Sequence, residues 1–358
     1  MACTPEGGAA VPDDPSNNVA SDALLVTIAE YPAAGGWLRP LPGAARDRNR
    51  VRKWLAAHAP GTIMKEVCWP PIDGQPCKHP VYSYDIDSEM RSFRLAASQR
   101  RRGRLFGFFS SHGCSTVDNP AMPVIYCASH SRVVPDMFTS AGWIRLLVAL
   151  PLYKEYLFFF DCCNDWQPGP LPPWFMPNVA YREDKPSVLV GAACAPNQEA
   201  VESANGGVFT DVLLEALSGS AGSTGSDVTA RDVVDYLKER VPTRAAALKP
   251  DHVQTPLFWF DTQMHTDLAS FSLFQRSQVT ADVSGIISGR AAADVEVLNV
   301  NLEPIGTLAA AAGGAAVFEA FPGKYVLRSR VDDWRRVIML RTTVNEEGAV
   351  RPLVDEAT

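Results

Sequence analysis

The sequence has few cysteines for its length and no long apolar segment, and each absence excludes a class of protein. Eight cysteines in 358 residues are too few for a disulfide-stapled scaffold. No segment approaches the roughly 18 consecutive apolar residues of a membrane-spanning helix. Lys154, Glu155 and Asp161 interrupt the most apolar region. We therefore expect a soluble protein with reduced thiols.

The N-terminal segment also lacks the basic start and the apolar stretch of a secretory signal. Residues 1–22 are instead rich in Ala, Gly, Pro, Asp and Asn, which predicts a flexible tail on a cytoplasmic protein. No glycine-rich phosphate loop follows a strand, so a nucleotide cofactor has no support. Acidic residues outnumber basic ones by 40 to 33, which disfavours nucleic acid and anionic membranes as partners.

Short apolar segments alternate with helical patterns over residues 23–276. This alternation is typical of an α/β domain with a mostly parallel sheet flanked by helices. The predicted strands are Ala23–Glu30, Thr62–Trp69, Arg104–Ser110, Tyr156–Cys162, Pro186–Ala193 and Pro256–Phe260. The predicted helices are Ala44–Ala57, Ser88–Arg102, Ala141–Leu150, Val208–Leu217 and a capped helix from Thr229 to Arg240. In such folds the functional residues lie in loops at the carboxyl ends of the strands.

From about Ser277 the pattern changes to short alternating segments separated by Gly, Pro and Asp. Residues 277–358 are therefore predicted to form a small all-β sandwich after the larger domain at 23–276. Within it, the segment Phe321–Leu327 resembles the turn and strand of small transthyretin-like sandwiches.

Two neighbouring strands of the predicted sheet are followed by chemically reactive side chains. His112 follows one strand and Cys163 follows the next, roughly fifty residues later, which suits one crossover and predicts that both lie at the same edge. An imidazole can activate a cysteine or protonate a leaving amine. The amides of Gly113 and Cys163 are placed to hold an oxyanion. Each residue alone is more often structural, but the pair favours a Cys/His hydrolase.

Five segments, taken in order, resemble the caspase-like superfamily of cysteine peptidases, and within it the metacaspase and bacterial caspase-like branch. They are Leu41–Asp47, Ser110–Gly113, Asp161–Cys163, Gln198–Thr210 and Gln254–Pro256. The resemblance extends from about Ala23 to Phe260. It implies that Cys163, and not Cys162, is the nucleophile and that His112 is its partner. It also implies that the chemistry needs no cofactor and no metal, and it leaves regulation by calcium open.

The resemblance further implies a substrate preference. In metacaspases the residues that match Asp47 and Asp161, helped by the one that matches Ser110, line the pocket for the residue before the cut. Because two carboxylates select a cation, we expect cleavage of proteins or peptides after Arg or Lys. An activating protein is a further expected partner. Taken alone, Asp47 is also explained as a helix N-terminal carboxylate and Asp161 as an acceptor for loop amides.

Departures from the family pattern keep two alternatives open. The loop after Cys163 continues Asn164–Trp166 where the family commonly has Ser-Gly, and Ser111 replaces a glycine. One alternative is a non-catalytic caspase homologue that acts as a binding or scaffold module. The other is a cysteine peptidase with a different specificity. A role in regulated proteolysis or bacterial defence signalling follows only from the habits of the family.

Three further clusters have mainly structural interpretations. The proline-rich segment 167–186 either carries a self-processing site at Arg182 or Lys185 or is a stiff surface loop. The arginines at 100–104 are typical of a helix C-terminus. Cys68, Cys77 and His79 do not match a strong zinc-binding spacing.

Overall fold

A computed structural model describes residues 21–356 apart from short gaps, and the structural statements below concern those residues. The gaps are 72–78, 98–101, 117–118, 150–151, 167–185, 222–226, 260–271, 276–278, 288, 300–301, 303, 312–313, 321 and 345–349. The predicted tail up to residue 20, Arg100 and Arg101 of the arginine cluster, and the proline-rich segment with Arg182 and Lys185 lie outside the described residues.

The first three quarters of the chain alternate strands with helices. In chain order the strands are β1 (Ser21–Ile28), β2 (Ile63–Trp69), β3 (Arg102–Ser110), β4 (Gly113–Thr116), β5 (Asn119–Tyr126), β6 (Met137–Thr139), β7 (Tyr153–Asp161), β8 (Asp165–Trp166), β9 (Ser187–Ala192), β10 (Glu202–Ser203), β11 (Gly206–Gly207), β12 (Asp227–Thr229), β13 (Leu257–Trp259) and β14 (Ser272–Gln275). The helices are α1 (Pro42–His58), α2 (Ser83–Ala97), α3 (Ser140–Ala149), α4 (Val208–Glu215) and α5 (Ala230–Leu248). None of the described helices has the length and apolar character needed to span a membrane.

The central sheet has six strands in the order β13-β9-β7-β3-β1-β2. All neighbouring pairs are parallel except β13 with β9, which confirms the mostly parallel α/β sheet. The chain runs from β1 outward to β2 and then returns to β3 on the other side of β1. The loops after β1 and β3 therefore diverge at a topological switch point, where open α/β sheets form a ligand crevice.

Both faces of the central sheet are covered, which explains why its strands are apolar at nearly every position. Along β1, Leu24, Val26 and Ile28 join the core beneath α2 and α3, whereas Ala23 and Leu25 join the core beneath α1, α4 and α5. This alternation follows from the two-residue period of a strand. The sheet is thus a rigid support for the loops at its carboxyl edge.

Some predicted elements differ from the structure. The second helix spans Ser83–Ala97 and not Ser88–Arg102, because Arg102 already belongs to β3. Apolar residues of the helix such as Ile86, Met90 and Phe93 pack on the sheet, and this packing sets its position. A four-stranded sheet in the order β6-β5-β4-β8 was not predicted. Its strand β4 begins at Gly113, directly after His112, so this small sheet continues from the loop that carries His112.

Two antiparallel sheets make up the C-terminal region. Their strands are β15 (Val279–Asp282), β16 (Val295–Leu298), β17 (Pro304–Thr307), β18 (Ala309–Ala310), β19 (Ala316–Ala320), β20 (Gly323–Ser329), β21 (Arg335–Val344) and β22 (Val350–Glu356). The sheets have the orders β15-β19-β18 and β17-β16-β20-β21-β22. Both contribute to one apolar cluster, with Ala281 and Phe318 from the first sheet and Val297, Leu327 and Ile338 from the second.

The C-terminal region is hydrogen-bonded to the α/β region through β21. The N–H of Thr342 donates to the hydroxyl of Ser220 at 2.9 Å, and the hydroxyl of Thr342 donates to the carbonyl of Ser218 at 2.9 Å. Both serines lie in a π-helical stretch, Ala216–Ser220, that directly follows α4. Because these groups are buried, the paired bonds fix how β21 meets the end of α4.

A substitution at Gly107 can test how tightly the aromatic core is packed. A β-carbon at this position of β3 would overlap the ring of Phe158 and would lie 3.0 Å from the ring of Phe109. We expect Gly107→Ala to lower the free energy of unfolding by about 1–3 kcal/mol, as overpacked core substitutions do. Chemical denaturation measures the change. Gly306→Ala is the control, since no atom lies within 4 Å of its β-carbon; equal effects of the two substitutions would contradict the packing described.

Candidate functional site

The carboxyl ends of β3 and β7 lie side by side in the central sheet. Their parallel register places Ser110 opposite Asp161. The pairing resumes beyond the loops, where Cys114 of β4 lies opposite Asp165 of β8. The two loops between these pairs therefore leave the sheet together, and each carries one of the two predicted catalytic residues.

Gly113 brings the backbone of one loop against the other. A β-carbon at this position would lie 2.7 Å from Sγ of Cys162 and 2.9 Å from the carbonyl oxygen of Cys163. Side chains do not tolerate such short contacts, so the close approach requires glycine. The loop with His112 is therefore packed directly on the cysteine pair.

A cleft of about 300 Å³, counted with its open mouth, lies at this edge of the sheet. Residues from separate segments of the chain line it: Leu41, Asp47, Ser110, Ser111, His112, Asp161, Cys162, Cys163, Ala200, Glu202 and Gly207. The structure thus brings five of the six residues predicted from the sequence to one cleft. Gly113, the sixth, is not among the lining residues but contacts the cysteine pair.

The loop after β1 fixes the orientation of His112. The hydroxyl of Tyr31 accepts a hydrogen bond from the backbone N–H of His112 at 2.7 Å, and Nε2 of the imidazole lies 2.8 Å from the carbonyl oxygen of Arg39. Because a carbonyl only accepts, Nε2 carries the proton and Nδ1 is the basic nitrogen of the neutral ring. Sequence reasoning missed Tyr31 and Arg39, since this loop has no periodicity and no motif.

The two adjacent cysteines differ in exposure. Cys163 is half-buried in the cleft, whereas Cys162 is buried. Burial raises the pKa of the Cys162 thiol, and the neighbouring thiol of Cys194 raises it further. Cys162 therefore stays protonated and unreactive at neutral pH. Cys163 is the cysteine of the pair that a substrate in the cleft can reach.

The two predicted pocket carboxylates are buried beside a glycine hairpin. Asp47 lies on α1 and accepts a hydrogen bond from the N–H of Gly207 at 2.8 Å. Asp161 ends β7 and accepts two, from the N–H of Thr210 at 3.1 Å and from its hydroxyl at 2.5 Å. A β-carbon at Gly206 would overlap the Asp47 carboxylate, and one at Gly207 would overlap that of Asp161. The hairpin strand β11 can pass this close only because it has no side chains.

Burial raises the pKa of both carboxyl groups. The pKa of Asp161 rises to about 6, chiefly because of burial, although its hydrogen bonds from Thr210 act in the opposite direction. The pKa of Asp47 is raised well above its usual range by burial and then by the nearby charge of Asp161. An added cation in the cleft would oppose both shifts.

The one cation close to these carboxylates is already paired, within the part of the chain that the structure describes. Nη1 of Arg50 forms an ion pair with Asp211 and lies 3.7 Å from Oδ1 of Asp47. That Oδ1 atom is buried and accepts no hydrogen bond from a described residue. Asp47 therefore keeps an unsatisfied acceptor beside the cleft.

Glu202 is a third carboxylate of the cleft, and sequence reasoning did not assign it to the pocket. Its side chain reaches over the start of α1, where a β-carbon on Gly43 would lie 2.7 Å from Oε1. Desolvation raises the pKa of Glu202, and the charge of Arg46 lowers it. The only sequence signal was the family-like segment Gln198–Thr210, which contains Glu202 without marking it.

The described residues contain no group of three or more His, Cys, Asp or Glu side chains that could hold a metal ion. Six cysteines lie in this part of the chain, and all of them except Cys163 are buried. Cys77, one of the three residues considered for zinc, lies outside the described residues.

One family model matches most of this chain. The sequence profile of the caspase domain matches residues 21–266, more than two thirds of the chain. Caspase-1 from Spodoptera frugiperda has a similar solved structure with 15% sequence identity, 71% of this chain and 94% of that chain covered, and a TM-score of 0.47. A structure titled pro-sf-caspase-1 has 15% identity, covers 67% and 91% of the two chains, and gives a TM-score of 0.43. Among curated proteins, none matches this chain significantly.

The raised pKa of Asp161 predicts how stability changes with pH. The pKa rises from 3.8 to about 6 on folding, so the folded protein holds this proton more tightly than the unfolded chain. The free energy of unfolding therefore falls as the pH rises from about 4 to 6, by on the order of 3 kcal/mol. Asp161→Asn keeps an acceptor for Thr210 but does not titrate. Its stability relative to the wild type should increase over this pH range.

Urea unfolding at several pH values between 4 and 7.5 measures this difference. Asp251→Asn is the matched control, because Asp251 is exposed and lies outside the cleft. A pH-independent difference for Asp161→Asn would contradict the prediction.

Proposed function

Because the chain belongs to the caspase domain family, whose members are cysteine peptidases, we propose that it is a cysteine endopeptidase with a catalytic dyad of Cys163 and His112. The packing of the two loops carries this proposal, since Gly113 next to His112 touches both cysteines. Two loops held this closely keep an imidazole and a thiol within reach of one substrate bond.

The chemistry follows from the placement of the two side chains. Nδ1 of His112 takes the proton of the Cys163 thiol, and the resulting thiolate attacks the scissile carbonyl. The N–H groups of Gly113 and Cys163 stabilise the oxyanion, each donor contributing about 2.7–4 kcal/mol. His112 gives a proton from Nδ1 to the leaving amine, while Arg39 holds Nε2–H. The acyl-enzyme is then hydrolysed by a water that loses its proton to Nδ1, and Cys163 is released.

The charges of the cleft support cleavage after Arg or Lys. Asp47, Asp161 and Glu202 line it together. Arg50, the cation beside Asp47, is also paired with Asp211, and Arg46 acts on Glu202, so the charge of the three carboxylates is compensated only in part. A cation about 4 Å from one carboxylate gains about 4 kcal/mol at the effective dielectric near a protein surface, before its own desolvation is subtracted.

The apolar lining and the sign of the charge together define the substrate residue. Leu41 and Ala200 face the same cleft and suit the aliphatic stem of a long basic side chain. An acidic residue would meet three carboxylates, so substrates with Asp before the cut are rejected. We propose protein or peptide substrates with Arg or Lys before the cut, as the resemblance to metacaspases implies.

Hydrolysis of a fluorogenic peptide panel tests this function. Peptides with Arg, Lys, Asp, Leu or Ala before the reporter are compared for the wild type and Cys163→Ala, with and without calcium. We expect kcat/KM for Arg and Lys to exceed that for the other residues by about 100-fold or more, and we expect Cys163→Ala to abolish cleavage. Cleavage only after Asp would refute the pocket, and cleavage by Cys163→Ala would refute the dyad.

The contribution of each carboxylate is measured with the same peptides. Asp161→Asn and Glu202→Gln should lower kcat/KM for the Arg peptide by about tenfold or more, with less effect on the Leu peptide. Glu199→Gln is the matched control, because this exposed carboxylate of the same loop does not line the cleft. If Glu199→Gln and Glu202→Gln gave equal losses, general electrostatics and not the pocket would explain the preference.

A further inference from the structure

We infer that Tyr31 is a positioning residue that holds His112 in its working orientation; this inference rests on the proposed function. Tyr31 lies three residues beyond the end of β1 and is buried. Its neighbours include the catalytic loop but not the cleft, which it does not line. Its effect on the reaction must therefore pass through His112.

The hydroxyl of Tyr31 links two loops at the switch point of the sheet. It donates to the carbonyl of Ile28 at 3.1 Å, at the last residue of β1, and accepts the N–H of His112 at 2.7 Å. Burial raises the pKa of this hydroxyl well above its usual range. It therefore remains a donor throughout the pH range of the enzyme, and the link does not switch off.

The aromatic ring of Tyr31 limits the movement of the imidazole itself. The two ring centroids are 5.0 Å apart with an interplanar angle of 47°. On the other side of the residue, the carbonyl of His112 accepts the N–H of Tyr126 at 2.9 Å. The backbone of His112 is thus held at both its N–H and its C=O, while the imidazole is held by Arg39 through Nε2.

This arrangement determines where Nδ1 points. Without the hydroxyl of Tyr31, the backbone N–H of His112 loses its acceptor, and the loop gains freedom to move relative to Cys163. A displacement of about 1 Å at a reacting group costs on the order of 100-fold in rate. The structure therefore assigns to Tyr31 an effect on kcat and on the reactivity of Cys163, with little effect on substrate binding.

Tyr31→Phe removes only the hydroxyl, and Tyr153→Phe is the matched control. Tyr153 is also buried, and its hydroxyl donates to Asp22 at 2.5 Å at the amino end of β1. Tyr31→Phe removes hydrogen bonds to Ile28 and His112, and Tyr153→Phe removes a hydrogen bond to Asp22, so only the first substitution acts next to His112. We expect Tyr31→Phe to lower kcat by about tenfold or more, with KM within twofold of the wild type. Tyr153→Phe should keep the wild-type kcat.

A second readout does not depend on peptide cleavage. The rate at which iodoacetamide alkylates Cys163 is measured from pH 5 to 9, with the modified residue identified by mass spectrometry. In Tyr31→Phe this rate should fall at least threefold near neutral pH and its pH profile should shift, because a misplaced imidazole stabilises the thiolate less. A second variant replaces Tyr31 by 4-aminophenylalanine, whose amine is a weaker hydrogen-bond acceptor than the hydroxyl. We expect its alkylation rate to lie between those of the wild type and Tyr31→Phe. This variant provides the test if Tyr31→Phe does not fold.

The outcomes separate the two proposals. If His112→Ala alkylates like the wild type, the dyad itself is wrong and the inference about Tyr31 falls with it. If His112→Ala slows alkylation but Tyr31→Phe and the 4-aminophenylalanine variant match the wild type, only the positioning role is refuted. Equal losses of kcat in folded Tyr31→Phe and Tyr153→Phe would also refute it, since a general loss of stability would then explain both.

Discussion

The candidate site depends on the parallel register of β3 with β7. Ser110 lies opposite Asp161 at the ends of these strands. The loops that follow the two strands therefore begin side by side. Gly113 then lets the loops approach to contact with the cysteine pair. A shift of the register by one residue would exchange the two faces of β7 and turn Cys163 away from the histidine loop. The dense aromatic packing on both sides of β7 makes such a shift costly.

A second feature of the site is that burial destabilises the ionised form of its carboxylates. Burial raises the pKa values of Asp47 and Asp161, and nearby carboxylates raise them further; these effects oppose folding at neutral pH. Under the proposed preference for Arg or Lys, a basic substrate side chain relieves the repulsion when it enters, which adds to its binding. On that proposal, the stability lost at the pocket is recovered as selectivity for a cation, a common compromise in functional sites.

The main strands of the central sheet could be predicted from the sequence more accurately than the helix bounds and the loop contacts. Strands such as Tyr156–Cys162 were found because a continuous apolar segment in a two-sided sheet leaves few alternatives. The helix at Ser83–Ala97 was misplaced because its arginine-rich flank mimics a helix end. His112 and Cys163 were predicted from their positions after two neighbouring strands, and the pocket residues Asp47, Ser110 and Asp161 only through the family resemblance. Tyr31, Arg39 and Glu202 were missed because they act through backbone and loop contacts that only the folded chain brings together.

Covalent labelling with a peptidyl-arginyl chloromethyl ketone tests the proposed site as a whole, because the reagent needs the nucleophile, the histidine and the acidic pocket at once. We expect one adduct per chain on Cys163, identified by mass spectrometry of the digested protein. We also expect much slower labelling of His112→Ala, and much slower labelling of the wild type by the aspartyl reagent. An adduct on another cysteine would contradict the proposed nucleophile, and faster labelling by the aspartyl reagent would contradict the acidic pocket.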